Sequence, residues 1–290
     1  MALRITVDIF SGRANPVIEV KGSEADEVLG RLKPGRKLTG REAAGPEPIL
    51  GYRGLVIEQI GAASGGLPGQ FRYLHGNLFG ARLSHAAEDE RFEDFISADA
   101  GLLRRLSLGE GFPDVFRKEV ARSRKERAEH EEKEHHKRRH HHCECGPLYE
   151  PAWWNVPQRQ PFNNCYNYAT NYRTDTFAQP GLAAGSMYTA LNCSSVGQAA
   201  VRDDLINTPN AKNKCPKEGH LVALVIWPGV DFHWFRKSRN GFWSHKPGST
   251  PVRNVDNSNH LIPDPRTANR GPYTNFCTFM VVMHGHIKIR

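Results

Sequence analysis

Residues 121–142 read ARSRKERAEHEEKEHHKRRHHH, with no apolar side chain larger than alanine. Such a stretch cannot enter a hydrophobic core, because burying this many charges without partners costs far more than packing returns. It therefore splits the chain. Its alternating charge signs suit an exposed helix held by i,i+4 pairs, and it lacks the a/d apolar repeat of a coiled coil. Pro113 occupies the favoured first-turn position for that helix, and Val115, Phe116 and Val120 can still pack at its start. The expected organisation is an N-terminal domain over 1–112, a charged His-rich helical linker over 113–150 and a second domain over 151–290.

Two cores of ordinary size fit in 290 residues. All five Trp lie beyond residue 150, so the halves build their interiors differently. Much of the net charge of +8 sits in the run from Arg117 to Arg139, and the remainder is scattered. A solvated helix accounts for it, and a nucleic-acid partner is not expected. The opening MALRITVDIF carries Arg4 and Asp8 and has no long apolar stretch, so neither a signal peptide nor a membrane anchor is read there, and no membrane partner is expected. A cytoplasmic location with reduced thiols follows as the expectation for the six cysteines, non-classical export remaining open.

The N-terminal half reads as α+β. Leu3, Ile5, Val7 and Ile9 alternate with polar residues in a strand, the turn FSGRANP follows, and Val17 to Val20 forms a return strand. Ser23-Glu24-Ala25-Asp26 resembles a capping box opening a helix. Strands are expected at 52–60 and 71–78 and a helix over 91–106. No catalytic constellation is apparent, which leaves binding or docking as this domain's role.

In the second half, Asn163 or Asn164 can cap a helix whose first turn carries Cys165, within FNNCYNYATNY. A thiol at a helix start has its thiolate favoured by the helix dipole, as a nucleophile requires. Downstream, Gly219 to Trp227, Asp231 to Arg236 and Phe242 to His245 read as an antiparallel meander, with Asn240-Gly241 as its turn and a final strand at 275–283.

This order, a helix beginning Asn-Asn-Cys-Tyr-Asn-Tyr-Ala and then a His-bearing meander, resembles the papain-like superfamily, closest to its NlpC-type and CHAP-type peptidases and amidases, across residues 153–283. The resemblance implies Cys165 as nucleophile and His233 as base, with His220 as the other candidate because Gly-His before an apolar strand is similar to the CHAP pattern. It implies an orienting residue among Asp256, Asn254 and His245, and Gln160 or Gln158 as oxyanion donor. A cysteine hydrolase acting on peptides or other amides is then the expected function, needing no cofactor. Two alternatives stand beside it. One is a non-enzymatic binding protein that presents an aromatic, loop-rich surface on a papain-like scaffold. The other is metal binding through His135, His136, His140, His141, His142, Cys143 and Cys145, whose imidazoles and thiols can take up zinc, nickel or copper adventitiously.

Overall fold

The computed structural model describes residues 1–129, 143–144, 146–208 and 212–290. The charged run beyond Glu129, with His135, His136, His140, His141, His142 and Cys145, lies outside the described residues. Two units emerge. The first comprises Met1–Ile9, Asn15–Glu47 and Tyr52–Glu129; the second comprises Phe10–Ala14, Pro48–Gly51 and the described residues of 143–290. This differs from the division expected at residue 112, because the helix after it packs in the first unit and two short N-terminal segments belong to the second.

In the first unit, Ala2–Val7 (β1) pairs antiparallel with Val17–Lys21 (β2) and Leu55–Ile60 (β4). The alternation of Leu3, Ile5 and Val7 with Arg4 and Thr6 places every second side chain in the core, as a period of two requires. Gln70–Leu74 (β5), Asn77–Gly80 (β6), Leu83–Ala87 (β7) and Pro34–Lys37 (β3) complete an antiparallel sheet in the order β2-β1-β4-β5-β6-β7-β3. The helix Ser23–Arg31 (α1) forms where expected, but without the capping box: Gly22 holds the cap position at φ 59° and no side chain caps it.

The helix expected over 91–106 is two pieces, Phe92–Ser97 (α2) and a 3-10 turn at Leu102–Arg105. The backbone at Gly101 passes so close to Ile96 that a Cβ would lie 2.5 Å from its carbonyl oxygen. Phe112–Glu129 (α3) is no bare spacer. Phe116 meets Tyr52 edge-on, the Glu119 carboxylate accepts from the Tyr52 amide at 3.0 Å, and Ser123 bonds His75 at 2.9 Å. Asp8 closes the interior: burial alone would raise its carboxyl, but the Arg53 and Arg72 guanidiniums, each 2.7 Å away, hold it well below the usual carboxylate range.

The second unit is built on a five-stranded sheet in the order β11-β10-β9-β12-β8. His220–Trp227 (β9), Asp231–Lys237 (β10) and Trp243–His245 (β11) form the expected meander, with Gly241 at φ 83° in its second turn. Asn275–Val282 (β12) returns to pair with β9 on the side away from β10, and Ile206–Asn207 (β8) adds a short edge. Strands β9 and β10 are buried on both faces, which explains why β9 runs apolar without alternation; β10 instead buries Asp231, His233, Arg236 and Lys237. Helices Pro151–Trp154 (α4), Cys165–Thr170 (α5) and Cys193–Arg202 (α6) accompany the sheet. The last was not foreseen in the sequence. With Cys165, Tyr166 and Ala169 of α5, Val196 and Ala200 of α6 join Leu224, Phe232, Trp234 and Met280 in one core cluster. The α+β class is as expected. No helix among the described residues is long and apolar enough to cross a membrane.

Candidate functional site

Helix α5 starts as its sequence predicts. The Asn164 side chain accepts from the Tyr166 and Asn167 amides at 3.0 and 3.1 Å, and Asn167 returns a bond to the Asn164 amide, a reciprocal cap. Cys165 then sits in the first turn, but the helix is only six residues long and the thiol is completely buried. Its sulfur lies 4.0 Å from the Phe232 carbonyl oxygen, and no histidine among the described residues hydrogen-bonds it. Burial, reinforced by the charge of Asp231, pushes the thiol well above its ordinary value. A dehydrated thiol with a raised pKa is a poor nucleophile near neutral pH.

His233 turns elsewhere. Its Nδ1 bonds Ser11 Oγ at 3.0 Å and its Nε2 bonds His245 Nδ1 at 2.9 Å, while His245 Nε2 donates to the Val255 carbonyl at 3.0 Å. That last bond fixes the tautomer: a neutral His245 must accept from His233. Asp231 anchors the other end. Its carboxyl accepts from the amides of Ser11, Gly12 and Arg13 at 2.6, 3.2 and 3.1 Å and meets the Tyr273 hydroxyl at 2.6 Å. Ser11 Oγ and Tyr273 are 2.7 Å apart. The donors along Asp231, Tyr273, Ser11, His233 and His245 close without conflict only when the cluster holds one proton beyond an ionised Asp231 and neutral imidazoles. Consistent with that count, burial pushes the Asp231 carboxyl up despite the hydrogen bonds it receives. Gly12 is required at the turn, since a Cβ there would meet the Phe232 ring at 2.5 Å. The five side chains are buried, so this is a sealed polar interior that holds the 10–14 segment in place rather than a cleft.

The remaining expected site residues are spread through the unit. His220 Nε2 donates to the Ala169 carbonyl, 2.8 Å away, and burial pushes its imidazole down to about 3. Asp256 caps a loop, accepting from the amides of Ser258, His260 and Asn269 at 2.9, 3.0 and 2.8 Å. The Asn254 carbonyl accepts from Ile262, and the Gln160 amide donates to the Ser249 carbonyl at 3.3 Å. None of these four hydrogen-bonds the Cys165 thiol. The sequence reading missed Ser11, Asp231 and Tyr273. Nothing local signals them, because the cluster joins residues 220 and 42 positions apart along the chain.

The thiols correct a further expectation. Cys143 is bonded to Cys215 and Cys193 to Cys277, with Cα separations of 5.4 and 5.2 Å. Reduced cysteines had been expected; two long-range disulfides instead match an oxidising compartment and stand against a cytoplasmic location. Cys143 is thereby withdrawn as a metal ligand. Among the described residues no group of three or more His, Cys, Asp or Glu is placed to hold a metal.

Fold and site together define a disulfide-bonded α+β protein whose histidine cluster is a buried structural network. No family model and no solved structure matches the chain. A 140-residue stretch, 48% of the chain, is 47% identical to insoluble matrix shell protein 1 of Ruditapes philippinarum and spans 91% of that protein. The chain belongs to the family of that shell matrix protein. The relative is named as a matrix component and not as a peptidase, which overturns the expected cysteine hydrolase; of the residues expected to serve it, His233, Asp256, His220, Asn254, His245 and Gln160 make their hydrogen bonds elsewhere than to the Cys165 thiol among the described residues.

Proposed function

We propose that this protein is a non-enzymatic, extracellular component of an insoluble shell matrix, acting by binding other matrix material. The observation that carries the reading is the 47% identity over 91% of the shell matrix relative. The two disulfides agree with an extracellular site, and the sealed thiol agrees with a scaffold rather than a catalyst. The papain-like order of helix and meander serves, in this reading, as a frame for surface contacts.

The surface best suited to binding carries exposed aromatics. Trp153, Phe162 and Tyr172 are 41%, 51% and 47% exposed. Arg159 stacks over Trp153 at 4.0 Å and donates to its carbonyl. Asn163 ties the segments together, donating to the Arg159 carbonyl and accepting from the amides of Thr174 and Asp175. Large rings with low conformational freedom, beside an arginine, are the residue types that dominate binding surfaces. The matrix partner in this reading is a protein or glycan that stacks on these rings.

Co-sedimentation of the full chain with demineralised, insoluble shell matrix tests the proposal. The protein is expected to pellet with the matrix at physiological salt. The triple variant Trp153→Ala, Phe162→Ala, Tyr172→Ala should lose at least about tenfold in affinity, since losing one or two anchors worth about 1.4 kcal/mol or more removes that factor. Equal pelleting of wild type and variant would remove the aromatic surface from the proposal, and no pelleting of either would remove the matrix role. In the same preparation, iodoacetamide at neutral pH should leave Cys165 unmodified until the protein is denatured. Rapid native labelling of that residue would show that the thiol is not sealed.

A further inference from the structure

The segment before α6 carries a feature that the binding reading does not use. Asn192-Cys193-Ser194 is the chain's one Asn-X-Ser/Thr triplet without proline at X. We propose that Asn192 is a site of N-linked glycosylation. The inference rests on the extracellular reading for access to the modifying compartment, and on local geometry for the site.

Three observations suit the residue to that role. Asn192 is exposed, in extended backbone at φ −141° and ψ 167°, and it follows a stretch in which residues 182–187 and 189–190 are exposed too. A bulky glycan therefore meets open solvent. Secondly, the Asn192 side chain caps α6 through its oxygen alone, Oδ1 accepting from the Ser195 amide at 2.8 Å, while Nδ2 has no hydrogen-bond partner among the described residues. A glycan is attached at Nδ2. The cap bond and the sugar thus use different atoms, and the folded helix tolerates the modification. Thirdly, Cys193 inside the triplet is bonded to Cys277, which is synthesised 84 residues later. The acceptor triplet can enter the lumen as a flexible chain before its neighbour is tied down. Leu182 and Met187, 38% and 42% exposed, lie in the same open stretch, where a nearby glycan offsets the apolar surface.

The chemistry is transfer from a polyprenyl-diphosphate oligosaccharide. The bond between the anomeric carbon and the diphosphate oxygen breaks, a bond from that carbon to Nδ2 forms, and one amide proton leaves with the polyprenyl diphosphate. The Ser194 hydroxyl is the residue the transfer requires two positions on.

The test expresses the full chain behind a secretory leader in animal cells and reads glycosylation on the total lysate and medium together. Peptide-N-glycosidase in heavy-oxygen water should convert Asn192 to labelled Asp, with a single-glycan mobility shift. Ser194→Ala should lose both completely, and Ser194→Thr should keep them. An unmodified Asn192 overturns the site whatever the disulfide state. Non-reducing peptide maps of the same samples report on the Cys193–Cys277 bond separately. A glycosylated chain whose thiols stay reduced supports the site while counting against the oxidised extracellular fold.

Discussion

Replacing Cys193 and Cys277 together with Ser is expected to destabilise the second unit by about 4 kcal/mol, because the bond between them closes a loop of 84 residues and loop-closure entropy for that length is about 4.5 kcal/mol. The bond joins the first residue of α6 to the third residue of strand β12, so its loss frees the helix whose Val196 and Ala200 fill the core. All five Trp lie in this unit, so tryptophan fluorescence during urea unfolding reads it directly. The double variant should unfold at a markedly lower denaturant concentration, with its slope unchanged if only stability is affected. A difference below about 1 kcal/mol would mean that the bond contributes little of the entropy expected for its span. The same measurement on Cys143→Ser with Cys215→Ser, which opens a loop of 72 residues, should give a comparable loss.

Acid is the second large perturbation. Burial pushes the imidazoles of His220 and His245 from 6.5 down to about 3. The folded pKa is lowered, so the contribution of each is fully present above the unfolded value of 6.5 and is lost as pH falls from there toward 3. At pH 5 the unfolded chain has gained a proton on each ring that the folded protein refuses, a loss of about 2 kcal/mol per ring. Asp203 and Asp231, raised by burial, act in the opposite sense as they take up protons in the folded state first. The two histidines are isolated by slope: His220→Asn should roughly halve the steepness of stability against pH between 6.5 and 5, whatever it does to stability at pH 7. A His220→Asn variant whose stability falls as steeply over that window as the wild type's would show that His220 titrates in the fold.

How far the chain could be read in advance depended on distance along it. Local patterns were reliable where neighbours settle the matter. The strand β1 follows from its alternation, the helix α5 from Asn164, the hairpin between β10 and β11 from Asn240-Gly241. Elements set by non-local partners were missed or misjudged. The pieces of the 91–106 helix part at Gly101, where the backbone packs against Ile96, and α6 is held by a disulfide and a core that no short window contains. The candidate site failed in the same way. A cysteine at a helix start and a histidine on a strand were both in place, yet whether the two side chains meet is decided by rotamer and packing, and here His233 turns to Ser11 and His245.

By itself, then, the sequence determined the α+β class, the charged segment that interrupts the chain, the start of α5 and the meander. These rest on periodicity, caps and turns within a few residues. Only the tertiary structure decided which cysteines pair, that Cys165 is sealed, and that Asp231, Tyr273, Ser11, His233 and His245 form one buried chain. The physical reason is that burial and long-range contact set the protonation and reactivity of a side chain, and both are properties of what surrounds it in space.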